Sequence, residues 1–490
     1  MKDNPLLKKT EQLAVDIESL CKSLERTGNS NIIFQIHKSS SSVFANIAEA
    51  QYPQSLHPQS LPDMLSKFEI ALKECSEKQL LKLERGLQMK GQNIIEYALK
   101  NHKKMFREPD GLLKYKYIVP GSVYNDCLWD WDSWLTNIAL RQFVKEDISE
   151  YERGCICNFL EVMDEEGRIP FFIKPKICCP NIFEQKESNI HKPCLAQHAA
   201  FLIKNDNSNA EWMRSHFSKL KKFVNCYINN FRHENGLYYW YNDSAIGVDN
   251  DPSSFYRPNK SSASIYLNCL MYKELEALCY IGDLLNEDML FYRNEAENLK
   301  KAVRDNCYDE KDGMYYSVDL NLLPIVPTKH SGGPRHWDCL IQRLGCWSGF
   351  LAMWSGIATP EQAERMVKEN LLDEKAFWAP CGVRSLSKYE KMYVIKKSGN
   401  PSCWLGPIWG ISNYMVFKGL LKYGFNNEAK ELAQKTINLF SKDIDACGDL
   451  HEYYDPETGE PIMNQGFQNW NLLSINMLAW LNGDRVIEEF

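Results

Sequence analysis

Four short segments of the chain set carboxylates and amides among tryptophan, tyrosine and glycine. They are Leu-Trp-Asp-Trp-Asp-Ser-Trp at 128–134, Ala-Ile-Gly-Val-Asp-Asn-Asp-Pro at 245–252, Trp-Leu-Gly-Pro-Ile-Trp at 404–409, and His-Glu-Tyr-Tyr-Asp-Pro-Glu-Thr-Gly at 451–459. Sugar rings offer apolar C–H faces to aromatic planes and hydroxyls to carboxylates and amides, so this mixture suits a carbohydrate site. Cleaving a glycosidic bond asks for two carboxyl groups, one protonated to release the leaving oxygen and one ionised to activate water or attack. Asp249, in a Gly-x-Asp-Asn-x-Pro turn, and Glu452, opening an aromatic-rich turn, form the best pair by context. Taken alone, Asp249 reads first as a turn residue bonded to its own backbone, and the other three segments turn the reading toward catalysis. Asp132 suits either a helix-start carboxylate or a ligand to sugar hydroxyls, whereas Asp130 reads as structural. His451 precedes Glu452 and either tunes it or is simply packed. The segment from His330 to His336 reads as a loop able to act as a lid.

Composition narrows the classes. The 490 residues carry a formal net charge of -7, which supplies no general attraction to nucleic acid or an anionic membrane. Aromatic residues make up 12% of the chain, an excess that stacking on sugars would use. The 17 cysteines include no Cys-x-x-Cys pair, and the first residues lack the apolar core of a secretion signal. Reduced thiols and a cytoplasmic location are therefore expected. No metal-ligand spacing and no phosphate-cradling glycine motif stands out, so neither metal nor cofactor is expected. The longest uncharged run, Leu344–Pro360, is interrupted by glycines and serines and reads as a buried helix rather than a membrane span.

Something must position the four segments, and the hydrophobic periodicity predicts helices. Candidates lie near 94–105, 130–145, 149–164, 193–204, 209–233, 263–282, 285–306, 342–357, 360–371, 404–423, 426–442 and 468–482. The fifth is the clearest, with Phe217, Leu220, Phe223, Val224, Tyr227, Ile228 and Phe231 on one face. Twelve helices with short extended pieces between them suit two concentric rings of six. Such a barrel gathers its connecting loops at one end, where distant segments share a cleft. Ahead of it, amphipathic stretches at 5–26, 31–51 and 61–88, with a proline-rich break between the last two, predict a small helical module over 1–90.

The segments resemble those of the inverting glycosidases built on the (α/α)6 barrel. The likeness is to glycoside hydrolase family 63 and its mannosylglycerate and glucosylglycerate hydrolases, with trehalases further off. Trp131-Asp132-Ser133 matches the segment that opens an early inner helix in that family. Gly247, Asp249, Asn250 and Pro252 match its general-acid segment. Trp404, Gly406, Pro407, Trp409, Asn413 and Tyr414 match a third, and Glu452, Tyr454, Asp455, Pro456, Thr458 and Gly459 match the general-base segment. The resemblance thus implies an all-α (α/α)6 barrel over 91–490, with Asp249 as acid and Glu452 as base. It places substrate contacts at Trp131, Asp132, Asn250, Trp404, Gly406, Trp409, Asn413, Tyr414 and Tyr454. The expected activity is inverting hydrolysis of a small α-linked sugar or glycoside, an α-glucoside or α-mannoside, glucosylglycerate and mannosylglycerate included. Inversion calls for carboxyls about 6.5–9.5 Å apart.

Departures from the pattern bear on the substrate. Ala245 and Ile246 stand where the acid segment carries Glu and Ser, Ser253 replaces an Arg, and Leu405 replaces the Arg before Gly406. Arg257 and Arg384 are candidate replacement cations. The N-terminal module, through Ser39–Ala50 and Lys67–Glu77, is similar to the four-helix-bundle family encoded in intervening sequences of bacterial ribosomal RNA genes. Its positive and negative charges nearly cancel, so self-association or docking is expected of it rather than RNA binding. Two other readings stay open: a non-catalytic carbohydrate-binding relative, and an assembly module fused to a degenerate barrel.

Overall fold

The computed structural model describes residues 91–176, 187–323, 335–395 and 402–490. The N-terminal module expected over 1–90, its three helices and its resemblance lie outside the described residues, as does the loop segment 330–334.

Twelve helices follow one another among the described residues. We label them α1 (91–101), α2 (Asp130–Phe143), α3 (Ser149–Glu161), α4 (Leu195–Asn205), α5 (Phe217–Asn230) and α6 (Ile265–Leu284). The rest are α7 (Leu290–Cys307), α8 (Leu351–Ser355), α9 (Pro360–Arg365), α10 (Gly410–Lys422), α11 (Asn426–Cys447) and α12 (Ser474–Asn482). The even-numbered helices form a closed inner ring: α2 packs on α4, α4 on α6, α6 on α8, α8 on α10, α10 on α12, and α12 back on α2. The odd-numbered α3, α5, α7 and α11 pack against this ring from outside.

Residue pattern dictates which ring a helix joins. On α7 the buried residues Tyr292, Glu295, Ala296, Leu299, Ala302 and Val303 fall at three- and four-residue steps, a single stripe that leaves the other face to water. The inner helix α6 is buried without a break from Ile265 to Leu275, because it meets neighbours on every side. Helix α5 keeps its expected apolar face but starts later than the periodicity predicts, a separate 3₁₀ turn at Glu211–Met213 taking up the earlier residues. The uncharged run does form buried helix, as a 3₁₀ turn at Trp347–Phe350 leading into α8, which ends at Gly356 in the left-handed region (φ +82°). Helix α9 begins with a capping box, Thr359 accepting from the Gln362 N–H, and Pro360 fits its first turn. None of the described helices is long and apolar enough to cross a membrane.

Short strands lead into the inner helices at one end of the ring. Leu128–Trp129 precedes α2 and pairs with Phe172–Ile173. Ser262–Ala263 precedes α6, pairing with Val318–Asp319. Ile408–Trp409 precedes α10 and pairs antiparallel with Tyr453–Tyr454, which in turn pairs with Pro461–Met463. These ladders carry three of the four chemistry-bearing segments, and the fourth, 245–252, lies in the loop ahead of Ser262–Ala263.

Candidate active site

Glu452 lies next to the central strand of the three-stranded sheet, its backbone N–H donating to the Met463 carbonyl at 3.0 Å. The side chain is buried, and its Oε2 accepts from the Tyr124 hydroxyl at 3.3 Å and from the Asn464 Nδ2. Asn464 also donates to the Tyr124 oxygen at 2.8 Å, so the three groups lock one another. Both supporting residues sit in the left-handed region, Tyr124 at φ +55° and Asn464 at φ +56°. Asn tolerates that conformation, whereas Tyr adopts it at a cost the surrounding contacts must offset. Burial, opposed by the Asn464 hydrogen bond and reinforced by the charge of Asp249, raises the Glu452 carboxyl to about 7.

Asp249 occupies the long loop before α6. Gly247, at φ +84°, lets the loop press on the Trp131 ring and the Lys192 stem, both of which a Cβ there would strike. Asn250 accepts from the Trp404 backbone N–H at 2.7 Å, tying this loop to a segment 154 residues away. Burial raises the Asp249 carboxyl above its ordinary value against a hydrogen bond from Ser402 and the charge of Lys192. Asp132, at the start of α2, is buried and accepts from Asn469, which is itself anchored by Thr136. Burial and the nearby Asp130 push its carboxyl up to about 7, with Lys192 pulling the other way. Burial raises the Tyr124 hydroxyl, and the charges of Glu452, Asp249 and Asp132 push it the same way.

Lys192 was not legible as a functional residue. It is 2% exposed, its Nζ lies 2.9 Å from each oxygen of Asp130, and it sits over the Trp131 ring at 5.2 Å. Lys192 is thus committed to Asp130. Of the two arginines the sequence offered as replacement cations, Arg257 pairs with Asp319 at 2.6 Å, and buried Arg384 pairs with Glu457 at 2.6 Å while donating to the Glu374 and Ala376 carbonyls. Asp130, read from the sequence as structural, is buried and pairs with Lys192.

The aromatic excess resolves into a continuous wall. Trp404 stacks on Trp409 with ring centres 3.9 Å apart and planes 6° from parallel, and Trp409 stacks on Tyr453 at 4.8 Å. Trp470 joins Trp409 to Trp131, which meets Tyr266. Trp404 and Trp409 are essentially unexposed, so their faces are occupied by other rings and they shape the wall rather than offer themselves to a sugar. Gly406, at φ +147°, is placed where a Cβ would strike the Tyr393 ring.

Three other expected contact residues lie outside the acid cluster. Asn413 spends its amide on the Val383 N–H and on Thr436, bracing α10 against the hairpin at 378–383. Tyr414 is buried beside the chain end, where burial and Glu489 raise its hydroxyl. Tyr454 donates to Asp443 at 2.8 Å and accepts from the His451 N–H at 2.9 Å. His451 Nδ1 also lies 3.0 Å from Asp443. With Cys447, these residues make the one group of potential metal ligands among the described residues, all within 4.8 Å. The Asp443 carboxylate is already held there by His451 and Tyr454.

A cavity of about 350 Å³ opens beside Asp249, lined by Asp243, Ser244, Ala245, Asp249, Phe255 and Tyr256. A second, of about 370 Å³, lies along α11 at Asn438, Ser441 and Asp445, away from the three carboxyls.

The family model for the mannosylglycerate hydrolase MGH1-like glycoside hydrolase domain matches residues 124–470. The chain belongs to that glycoside hydrolase family. Among relatives, it is 24% identical over 433 residues to a probable trehalase of Eremothecium gossypii, covering 75% of this chain and 55% of that protein. It is 27% identical over 219 residues to mannosylglycerate hydrolase MGH1 of Selaginella moellendorffii, covering 44% of this chain and 38% of that protein. The chain thus spans about half or less of the length of these relatives. The glycoside hydrolase family 63 mannosylglycerate hydrolase of Thermus thermophilus, solved with glucose, superposes with a TM-score of 0.59 at 19% identity. That match covers 78% of this chain and 99% of the other, and it shows that the helical ring is the fold of that enzyme.

Proposed function

We propose that residues 91–490 form an inverting glycoside hydrolase acting on a small α-linked sugar or glycoside, with Asp249 as general acid and Glu452 as general base. The observation that carries the reading is the fixation of Glu452. A carboxylate whose Oε2 receives two donors, Asn464 and Tyr124, is held as an acceptor in its ionised form, while burial places its pKa at about 7, where a base works best near neutral pH.

In the reaction, Asp249 gives its proton to the glycosidic oxygen as the C–O bond breaks. Water attacks the anomeric carbon from the opposite face, and Glu452 takes its proton. The leaving group departs as an alcohol, the sugar as a hemiacetal of inverted configuration, with Asp249 ionised and Glu452 protonated. Solvent exchange resets both. Asp132, just inside the cluster, binds sugar hydroxyls, and Trp131 with the Trp470 side of the wall supplies apolar surface. A cytoplasmic location, whose reducing environment suits so many cysteines, is part of the same proposal.

Proton NMR of the first anomer released from α-linked disaccharides, glucosylglycerate and mannosylglycerate tests the reading. A β-anomer is expected first, and Asp249→Asn and Glu452→Gln each lower kcat/KM by about 10²–10⁴. An α-anomer released first, or full activity in both variants, refutes it.

A further inference from the structure

The general acid marks which side of the scissile bond is which: the group that receives its proton leaves on its side. The cavity lined by Asp243, Ser244, Ala245, Asp249, Phe255 and Tyr256 is therefore the leaving-group side. At its rim stands Tyr256, 88% exposed, with its ring 4.3 Å from that of Phe255. A large aromatic side chain turned to solvent gains little for folding. This one is also held at φ +55°, in the left-handed region that only glycine enters without strain, and its backbone N–H is fixed by Asp243 Oδ2 at 2.8 Å. Ala245, which also lines the cavity, is left-handed as well (φ +63°). Strain held at two lining positions of one cavity points to a shape kept for a ligand.

The charge of the lining indicates the ligand. Its acidic side chains are the carboxyls of Asp243 and Asp249 beside the Tyr256 phenol, and among the described residues no cation lines it. The nearest candidates are committed elsewhere: Arg257 to Asp319, Lys260 over the Tyr241 ring at 4.9 Å, and Lys192 to Asp130. Ser253 and Leu405 stand where the resemblance places arginines. A carboxylate-bearing leaving group such as glycerate would meet Asp243 with no counter-charge among the described residues that line the cavity. A neutral pyranose would lay a C–H face on Tyr256 and donate hydroxyls to Asp243.

Resting on the glycosidase reading above, we infer that Tyr256 and Asp243 build a leaving-group subsite for a neutral sugar ring, so that the substrate is an uncharged α-linked disaccharide. The test compares three substrate types: α-glucosyl and α-mannosyl fluoride, which carry no leaving-group ring; neutral α-linked disaccharides; and the anionic glucosylglycerate and mannosylglycerate. Each is assayed with wild type, Tyr256→Ala and Tyr256→Phe. Wild type is expected to prefer a neutral disaccharide over both anionic substrates by at least about tenfold in kcat/KM, the equivalent of one 1.4 kcal/mol contact. In Tyr256→Ala the ratio of disaccharide to fluoride turnover falls by about tenfold or more, and Tyr256→Phe restores most of it because stacking needs the ring rather than the hydroxyl. A preference for the anionic substrates, or an unchanged ratio in Tyr256→Ala, overturns the subsite. Absence of turnover of every substrate, the fluorides included, overturns the glycosidase reading itself and the subsite with it.

Discussion

Replacing Asn464 with glycine isolates the hydrogen bond that sets the base. Glycine accepts φ +56° without strain, so the backbone stays as it is and only the amide donor is lost. That donor serves the charged form of Glu452, and hydrogen bonds to charged groups contribute about 1.5–3 kcal/mol. At 1.36 kcal/mol per pH unit, losing one raises the Glu452 pKa from about 7 by roughly one to two pH units, less whatever Tyr124 recovers by tightening its own bond. The pH dependence of kcat/KM reports the free enzyme, so the acid limb of that profile should move upward by this amount. Asp132 also titrates near 7, but Asn464 does not touch it, so a displacement caused by this substitution belongs to Glu452. An acid limb that stays put in Asn464→Gly, or that moves downward, refutes Glu452 as the titrating base.

Lys192→Met leaves Asp130 buried and unpaired, which should cost about 3–5 kcal/mol in urea unfolding, and adding Asp130→Asn should recover most of the loss. Glu274, on α6, accepts from the Ala196 and Gln197 N–H groups at 2.7 and 3.1 Å at the start of α4. Glu274→Ala strands both donors in a buried site, for an expected loss of about 2–4 kcal/mol by the same method. Burial raises Glu274 to about 8 and Asp132 and Glu452 to about 7, above the values these groups have in the unfolded chain. Groups shifted upward stabilise the fold fully at low pH and lose that contribution as pH rises through the folded value. Melting temperature should therefore decline between about pH 5 and pH 8, with a shallower decline in Glu274→Gln; a rise over that window contradicts the assignment.

What the chain discloses about itself depends on how many residues carry a signal. The twelve helices were legible because each repeats an apolar step over several turns, and α6 differs from α7 only in how much of its circumference is apolar. Asp249, Glu452, Asp132 and Trp131 were legible because each stands in a run of unusual residues. Tyr124, Lys192, Asn464 and Asn469 were not, since each is a lone polar residue in an ordinary loop and gains meaning only when ring closure brings it to a carboxyl. Asn464 did leave a trace: an Asn-Gln-Gly turn so soon after the base is where a left-handed Asn can fold its amide back onto the strand. The tryptophans mislead in the other direction. Trp404 and Trp409 look like sugar platforms because they flank Gly-Pro, yet their faces are taken by each other and by Tyr453, while the exposed ring at the cavity rim is Tyr256, in a stretch with no compositional excess. An aromatic residue's value to a ligand is set by the face left uncovered after packing. That quantity belongs to the folded ring and not to the residue list, which is why the proposed acid and base have a signal in the chain while the proposed subsite has one only in the fold.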